Sequence, residues 1–349
     1  MSTIEHDPAL VAWAIDDAEY PLHAGPAAQL AFLVRYAVLA PSDRNTQPWA
    51  FRLVGDTLEL RADRLRALPV ADPEGRTLVI SCGAALGTLR LAARRFGTEP
   101  EVTLLPDPDQ PDLLAVIGIG SPTQPTAEAL RLSTAITARR TTRAAFTDRP
   151  LPAALLADLR AIVPADDVWL ELVTDSGGKR AVADLVACAS RLQMRDPEYR
   201  RELARWLRPN RAAARDGIRG YGFGLDDLRA RFDPLVTRAL GRSPRRTARE
   251  RDAVAEAPAL AVLGSSDDGP QAWLATGEAL QRLLLRLADA GATGAFSNQP
   301  IELPELRSVL ARSLRRKGVP QLLLRLGYAT AAPRAEPRRS LAEVLTIEP

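Results

Sequence analysis

Histidine is nearly missing from this chain, with only His6 and His23, both near the N-terminus. That scarcity argues against a histidine-built metal site and against a Ser-His-Asp triad. Cysteine is equally sparse. Cys82 and Cys188 stand far apart and give neither a disulfide framework nor a metal-ligand spacing. Lysine occurs only at Lys179 and Lys317, so nearly all the positive charge is arginine. The net charge of +3 is too small to mark a nucleic-acid binder. No apolar run approaches transmembrane length, and the first residues carry neither a basic region nor an apolar signal core. The expectation is a cytoplasmic protein with no membrane partner. The glycines at Gly118-Ile119-Gly120 and from Gly220 to Gly224 do not complete a dinucleotide fingerprint, and no Walker loop is present. A chain this poor in acid–base groups either binds without catalysis or takes its chemistry from a cofactor.

What is present is an ordinary globular composition: 349 residues, 46% hydrophobic and 26% charged, enough for two domains or one large one. Leu30, Leu33, Val34, Ala37 and Val38 share one helical face that runs into Pro41. Residues 49–54 and 57–63 flank Gly55-Asp56 as a hairpin. A second helical stripe runs from Leu78 through Cys82, Leu86 and Leu89 to Phe96, with Gly97 as its stop and Cys82 in its core. Strands follow at 101–105 and 113–119, then a proline- and threonine-containing linker from Ser121 to Thr126. Beyond it the pattern predicts helices near 127–139, 152–163 and 178–195, with a strand at 168–174. A strand at 259–263, a helix through Leu280 and Leu287, a helix near 303–316 and a strand at 321–329 complete it. Residues 196–250, charged and broken by Pro and Gly, read as an insertion, and the tail from Ala331 as an extended arm. The expected fold is α+β, an antiparallel-leaning sheet packed by helices and made twice, in halves 1–125 and 126–349. No repeat is evident in the sequence itself.

Four clusters could carry chemistry, and each has a plainer reading beside it. In Pro41–Trp49, Ser42, Asn45 and Gln47 offer donors and acceptors without charge to a flat heterocycle, or they simply close one helix and start a strand. Arg139-Arg140-Thr141-Thr142-Arg143 suits bidentate recognition of a phosphate, or forms a solvated basic face. The small residues from Gly291 through Thr293, Gly294 and Ala295 to Gln299 let backbone approach a ligand closely, or mark only a helix end. Pro337-Arg338-Arg339 is a second phosphate clamp or a basic tail.

Taken in order, Ser-x-x-Asn-x-Gln-Pro-Trp, the Arg-Arg-Thr-x-Arg run, the glycine-rich turn, a leucine-rich strand ending Gly-Tyr and the late Pro-Arg-Arg resemble the FMN-dependent nitroreductase family. The resemblance extends to its single-chain Acg-type branch, in which two nitroreductase-like halves form a pseudo-dimer; Ile80–Ala84 and the Trp206…Asp216-Gly217-Ile218 region carry it further. It implies one FMN per chain, because the ring-edge loop occurs only in the first half and the arginine run only in the second. Arg139, Arg143 and Arg339 would hold the phosphate with Arg140 beside them, and Thr141 would bond phosphate or ribityl oxygens. Ser42, Asn45 and Gln47 would meet the ring edge, and the backbone of Thr293–Ala295 would pack on the ring. NAD(P)H and a small electron acceptor are the implied partners, and hydride transfer at the flavin N5 requires no protein base. Residues 196–224, with Trp206, Tyr221 and Phe223 among glycines, read as a lid over the flavin or as a surface helix pair anchored by its aromatics. Three readings follow: an FMN-dependent oxidoreductase, a flavin-sequestering protein with an occluded site, or a cofactor-free scaffold.

Overall fold

The structure, a computed structural model, describes residues 8–163, 167–223, 225–240 and 244–348; His6 and Gly224 fall outside them. The first half opens with α1 (Pro26–Ala37), whose Pro26 sits at the N-terminal turn where no N–H is needed. The hairpin β1 (Trp49–Val54) and β2 (Thr57–Ala62) then turns at Gly55, whose φ is +54°. Trp49, Phe51 and Leu53 face the core in alternation, as do Leu58, Leu60 and Ala62. The long helix α2 (Arg76–Arg95) and the strands β3 (Glu101–Leu104) and β4 (Leu113–Gly118) complete this half.

The second half repeats the plan. After α3 (Ala127–Ala138) and α4 (Ala153–Ile162) come β5 (Val168–Val173) and α5 (Ser176–Arg195). The segment expected to be an irregular insertion is mostly helical: α6 (Pro197–Trp206), the short parallel pair β6 (Leu207–Arg208) and β7 (Ile218–Arg219), α7 (Asp227–Leu240) and α8 (Pro244–Ala255). Pro197 and Pro244 begin helices and Pro209 follows β6, while Pro234 lies inside α7. Then follow β8 (Ala259–Ser265), α9 (Pro270–Asp289), β9 (Thr293–Phe296), α10 (Pro304–Ser313) and β10 (Val319–Gly327).

Sheet topology makes the duplication explicit. The first sheet carries the order β1-β2-β4-β3 and the second β5-β8-β10-β9, with every one of these neighbours antiparallel. In each half the long helix links the second strand of that order to the fourth. The two helices are both 20 residues long and pack on one another at the centre of the molecule. Their sequences do repeat, contrary to the expectation from the chain alone. Gly83, Ala85, Leu86, Leu89, Leu91 and Gly97 recur in register as Gly277, Ala279, Leu280, Leu283, Leu285 and Gly291.

The repeated residues have structural work. A Cβ on Gly83 would stand 2.3 Å from the Leu274 carbonyl oxygen, and one on Gly277 would stand 2.1 Å from that of Ile80. Only glycines let the two backbones cross this closely. Leu86, Leu89, Leu280 and Leu283 are buried in the core that both halves share, each contributing about 2 kcal/mol by burial. Gly97 and Gly291 take φ of +79° and +68°. The following N–H groups close the same helix-ending bonds, Thr98 to Ala93 O at 3.1 Å and Ala292 to Leu287 O at 2.8 Å. Among the described residues α2 alone is long and apolar enough to cross a membrane, and here it is a buried core helix.

The C-terminal arm is not wholly irregular. After residues 331–340 it forms α11 (Leu341–Val344), with Ser340 and Glu343 in a capping box, and then β11 (Leu345–Glu348). The last strand pairs in parallel with β1, Phe51 opposite Leu345, so the end of the second half completes the sheet of the first.

Candidate functional site

A cavity of about 960 Å³ opens between the halves, large enough for a sizeable cofactor. The first half lines it with the Pro41–Asn45 loop and with Thr77, Ile80 and Ser81 from the start of α2. The second half contributes Thr141–Ala144, Phe296–Gln299 and faces of α5 and α8, and the residues 331–338 of the arm close one side.

The loop after α1 is under backbone strain. Arg44, Asn45 and Gln47 have φ of +46°, +56° and +52°, a conformation that costs on the order of 1–3 kcal/mol per residue. Hydrogen bonds from distant parts of the chain hold it. Ser42 Oγ accepts the Gln47 N–H at 2.9 Å. Asn45 Nδ2 donates to Gly217 O at 3.3 Å and Pro337 O at 3.1 Å, and Asn45 Oδ1 accepts from Arg338 at 2.9 Å. Gln47 donates to Arg215 O at 2.7 Å and accepts the Arg339 N–H at 2.7 Å. Ser42 and Asn45 line the cavity, and the Asn45 carboxamide is taken up by Gly217, Pro337 and Arg338. Gln47 does not line it, because its carboxamide is spent bracing the loop against the Arg215 backbone and the arm.

Arginine dominates the wall behind this loop. Arg139 Nη2 donates to Leu39 O at 3.0 Å and Nη1 to Thr141 Oγ1 at 3.2 Å, while its buried Nε has no partner. Arg338 approaches the same Leu39 carbonyl at 3.5 Å, and its Nε is also buried and unpartnered. Arg140 and Arg338 both stack on Trp13, at 3.9 and 5.1 Å from the ring centre. Among the described residues no carboxylate pairs with Arg139, Arg140 or Arg338; Arg143 alone meets one, Glu336 at 3.3 Å. Burial, with repulsion from Arg338 and Arg140, drives the Arg139 guanidinium well below the usual arginine range. Burial likewise holds Arg140 and Arg338 at about 10, for Arg338 against the attraction of Glu336. Buried guanidiniums short of counter-charge are costly unless an anion joins them.

Not every expected residue lies at this wall. Thr141 and Arg143 line the cavity; Arg139 sits behind Thr141, and Arg140 lies against Trp13. Arg338, not Arg339, completes the group. Arg339 turns away and donates to Gln47 O at 3.1 Å, Trp49 O at 3.2 Å and Glu343 O at 2.6 Å, pinning β1 to the arm. Thr293, Gly294 and Ala295 are not the ligand-facing turn. They form β9, where Thr293 Oγ1 donates to Arg140 O at 2.9 Å and Gly294 packs on Leu284 and Leu324. The cavity is instead met by the next residues, Phe296–Gln299. Tyr221 and Phe223 line it, with the Tyr221 hydroxyl donating to Ala335 O at 3.3 Å. Trp206 does not; it packs on the small core of Leu68, Tyr199, Leu203 and Ile218 beneath them. Cys82 is buried as expected, its thiol donating to Pro48 O at 3.3 Å and pushed up in pKa by burial.

One end of the cavity is acidic, which sequence reasoning missed. Asp43 and Glu302 line it, and Arg44 beneath them is locked to Glu202 at 2.8 Å with both side chains only 5% exposed. Glu302 Oε2 accepts from Gln193 at 2.7 Å and from the Tyr199 hydroxyl at 3.1 Å. Burial, then the Asp43 charge, push the Glu302 carboxyl up to about 7 against Arg44, Tyr199 and Gln193. Asp43 is raised too, by burial and by Asp72, against Arg44 and Arg76. These residues come from four elements scattered along the chain, and no local pattern announces them. Thr77 Oγ1, buried and without a partner, faces the same space.

The pseudo-symmetric place at the start of α9 is filled by protein. Asp268 accepts from Arg307, Gln321 and Trp273, and Arg76 donates to the Gln321 carbonyl at 2.6 Å. Burial pushes the Asp268 carboxyl up, but those donors prevail and hold it at about 2.

No protein-family model matches this chain. The Mycobacterium tuberculosis H37Rv protein named "Uncharacterized protein Rv3127" is 33% identical over 327 residues, 90% of this chain and 92% of that one. "Putative NAD(P)H nitroreductase Rv3131" of the same strain is 33% identical over 313 residues, 88% of each chain. "Putative NAD(P)H nitroreductase acg" is 29% identical over 321 residues, 90% of this chain and 94% of that one. Among solved structures, the FMN-dependent nitroreductase NfnB from Mycobacterium smegmatis in complex with NADPH shares 17% identity, with a TM-score of 0.40 over 63% of this chain and 99% of its own. The assignment rests on the M. tuberculosis relatives: with two like-built halves in one chain and 33% identity across most of its length, this protein belongs to the nitroreductase family, in its single-chain Acg-type branch.

Proposed function

We propose that the cavity holds FMN and that the protein is an NAD(P)H-dependent oxidoreductase with one flavin per chain. The observation that carries this reading is the pair of buried guanidiniums at Arg139 and Arg338, with half-buried Arg140 beside them; none has a carboxylate partner among the described residues, and they lie behind or on one wall of a large cavity. A phosphate would supply the missing counter-charge. Arg143, Thr141 and Arg338 would hold it, with Arg139 bracing Thr141. Ser42, whose hydroxyl proton is not spent on Gln47, would present a neutral polar group to the ring edge, Asn45 would brace the loop through Pro337 and Arg338, and Phe296–Gln299 would face the ring. Bound there, FMN supplies hydride chemistry that this histidine-poor chain cannot provide from its own side chains. The acidic end, where Glu302 is held near neutrality, offers a carboxyl able to hold a proton at the edge of the cavity. The Asp268 network at the start of α9 supports a single site, because it fills the equivalent space.

The test is replacement of Arg143 by Ala and of Arg338 by Met, followed by flavin content and FMN affinity. Both variants are expected to lose flavin while staying folded; unchanged flavin content would refute the phosphate assignment. Stopped-flow mixing with NADPH and NADH then tests the reductase reading.

A second reading, flavin sequestration under a lid, has its own support. The backbone of Arg215 and Gly217 accepts hydrogen bonds from Gln47 and Asn45, so the segment leading to Tyr221 and Phe223 is tied to the ring-edge loop. If that segment stays closed over the flavin, reduction by NAD(P)H would not exceed the rate seen with free FMN.

A further inference from the structure

Arg325 stands apart from the guanidiniums assigned to the flavin phosphate. It lies in the middle of β10, is 6% exposed and lines the same cavity on the side toward α5 and α8. Its guanidinium makes no hydrogen bond and no ion pair among the described residues. Nη1 is buried without a partner, and the visible contact is the face of Phe146 at 5.3 Å. Burial depresses Arg325 to about 10, and the charge that offsets this is that of Glu250. The charges bearing on Arg139 and Arg338 are a different group: Arg140, Glu336 and each other's neighbourhood.

The surroundings suit a ligand with its own negative charge. Arg245 and Arg249, one turn apart on α8, stand on the same side of the cavity and are exposed. Glu250, held by Ser190 Oγ at 2.8 Å, lies beside them. A dianionic phosphate monoester fits a buried guanidinium with an unused fork and two more at the entrance. The neighbouring carboxylate would accept a sugar hydroxyl, which a free phosphate ion does not offer.

We propose that Arg325, with Arg249 at the entrance, forms a second phosphate subsite that takes the 2′-phosphate of a nicotinamide dinucleotide, so that the protein selects NADPH over NADH. This choice of donor rests on the oxidoreductase reading, but the subsite can be tested without turnover. The experiment is isothermal titration of the purified full chain with 2′,5′-ADP and with 5′-AMP, for the native protein, Arg325→Met and Arg249→Ala, with flavin content and melting temperature measured on each.

The native protein is expected to bind 2′,5′-ADP about tenfold or more tightly than 5′-AMP, the gain from charge-assisted bonds to one phosphate. Arg325→Met should abolish that preference, keep the native flavin content and melt no lower than the native protein, because it removes a buried charge that lacks a partner. Equal affinities in the native protein, or a preference that survives Arg325→Met, would overturn the proposal. So would loss of flavin from Arg325→Met, which would place Arg325 on the flavin phosphate. If Arg325→Met does not fold, Arg249→Ala decides: a weaker 2′,5′-ADP affinity supports the subsite and an unchanged one refutes it. A chain that carries no flavin would defeat the proposed cofactor, yet the 2′,5′-ADP titration would still read this subsite.

Discussion

Arg338 Nη1 donates to Asn45 Oδ1 across 2.9 Å, joining the loop after the first helix to the C-terminal arm. Neither half of the chain supplies this wall of the cavity alone. Asn45 holds the contact from a left-handed conformation, φ +56°, and spends its amide nitrogen on Gly217 and Pro337. Asn45→Ala should therefore lose about 3 kcal/mol, combining backbone strain with an Arg338 left short of acceptors. Asn45→Gly keeps the backbone conformation and should recover about 1 kcal/mol of that loss. Chemical denaturation of both variants separates the two contributions; equal losses would show that the backbone conformation is irrelevant.

The crossing of α2 and α9 should tolerate no added side chain. Gly277→Ala places a methyl 2.1 Å from the Ile80 carbonyl and 2.6 Å from the Ala84 nitrogen, both backbone atoms that cannot swing aside. We expect about 3 kcal/mol of destabilisation or failure to fold. Gly25→Ala, where nothing lies within 4 Å, serves as the control and should change little. Thermal melting of the two reads the difference.

Stability should fall as pH rises between about 4.5 and 7. Glu302 has an ordinary value of 4.5 and is lifted to about 7 in the folded chain by burial and the Asp43 charge. Over that window the folded state keeps a proton that the unfolded state has released, so the unfolded state gains with each pH step. Glu302→Gln keeps an acceptor for Tyr199 and Gln193 and should flatten this part of the pH–stability curve. Urea midpoints of native and variant protein at pH 5 and 7 test it; parallel curves would rule out Glu302 as the source.

Arg339 should behave as a structural residue and Arg338 as a ligand-wall residue. Arg339→Ala strips donors from the carbonyls of Gln47, Trp49 and Glu343. It should cost about 3 kcal/mol and speed hydrogen exchange in β1 and β11. Flavin affinity in the folded fraction should change far less than in Arg338→Met. The reverse order of effects would return Arg339 to the phosphate.

Much of the fold can be read in the sequence because apolar periodicity is local. The stripes of α1, α2 and α9 and the alternation of β1 and β2 lie in consecutive residues, and the family motifs in Pro41–Trp49 and Arg139–Arg143 are equally compact. The duplication was hidden for a physical reason: the residues it keeps, such as Gly83 and Gly277, are those where two helices touch, and the positions between them are free to differ. Tertiary direction was hidden too. Whether Arg338 or Arg339 faces the cavity depends on where the arm crosses the loop, and the pairing of Asp43 with Glu302 exists only once α6 and α10 are in place. The regularity of 196–250 was missed because Pro197 and Pro244 start helices and Pro234 is accommodated inside α7.

A single composite site predicts a single flavin. Purified full chain, saturated with FMN and freed of excess, should release FMN on denaturation at a ratio of about one per chain, identified by chromatography and absorbance. No retained flavin, or two per chain, would contradict a single composite site built from both halves.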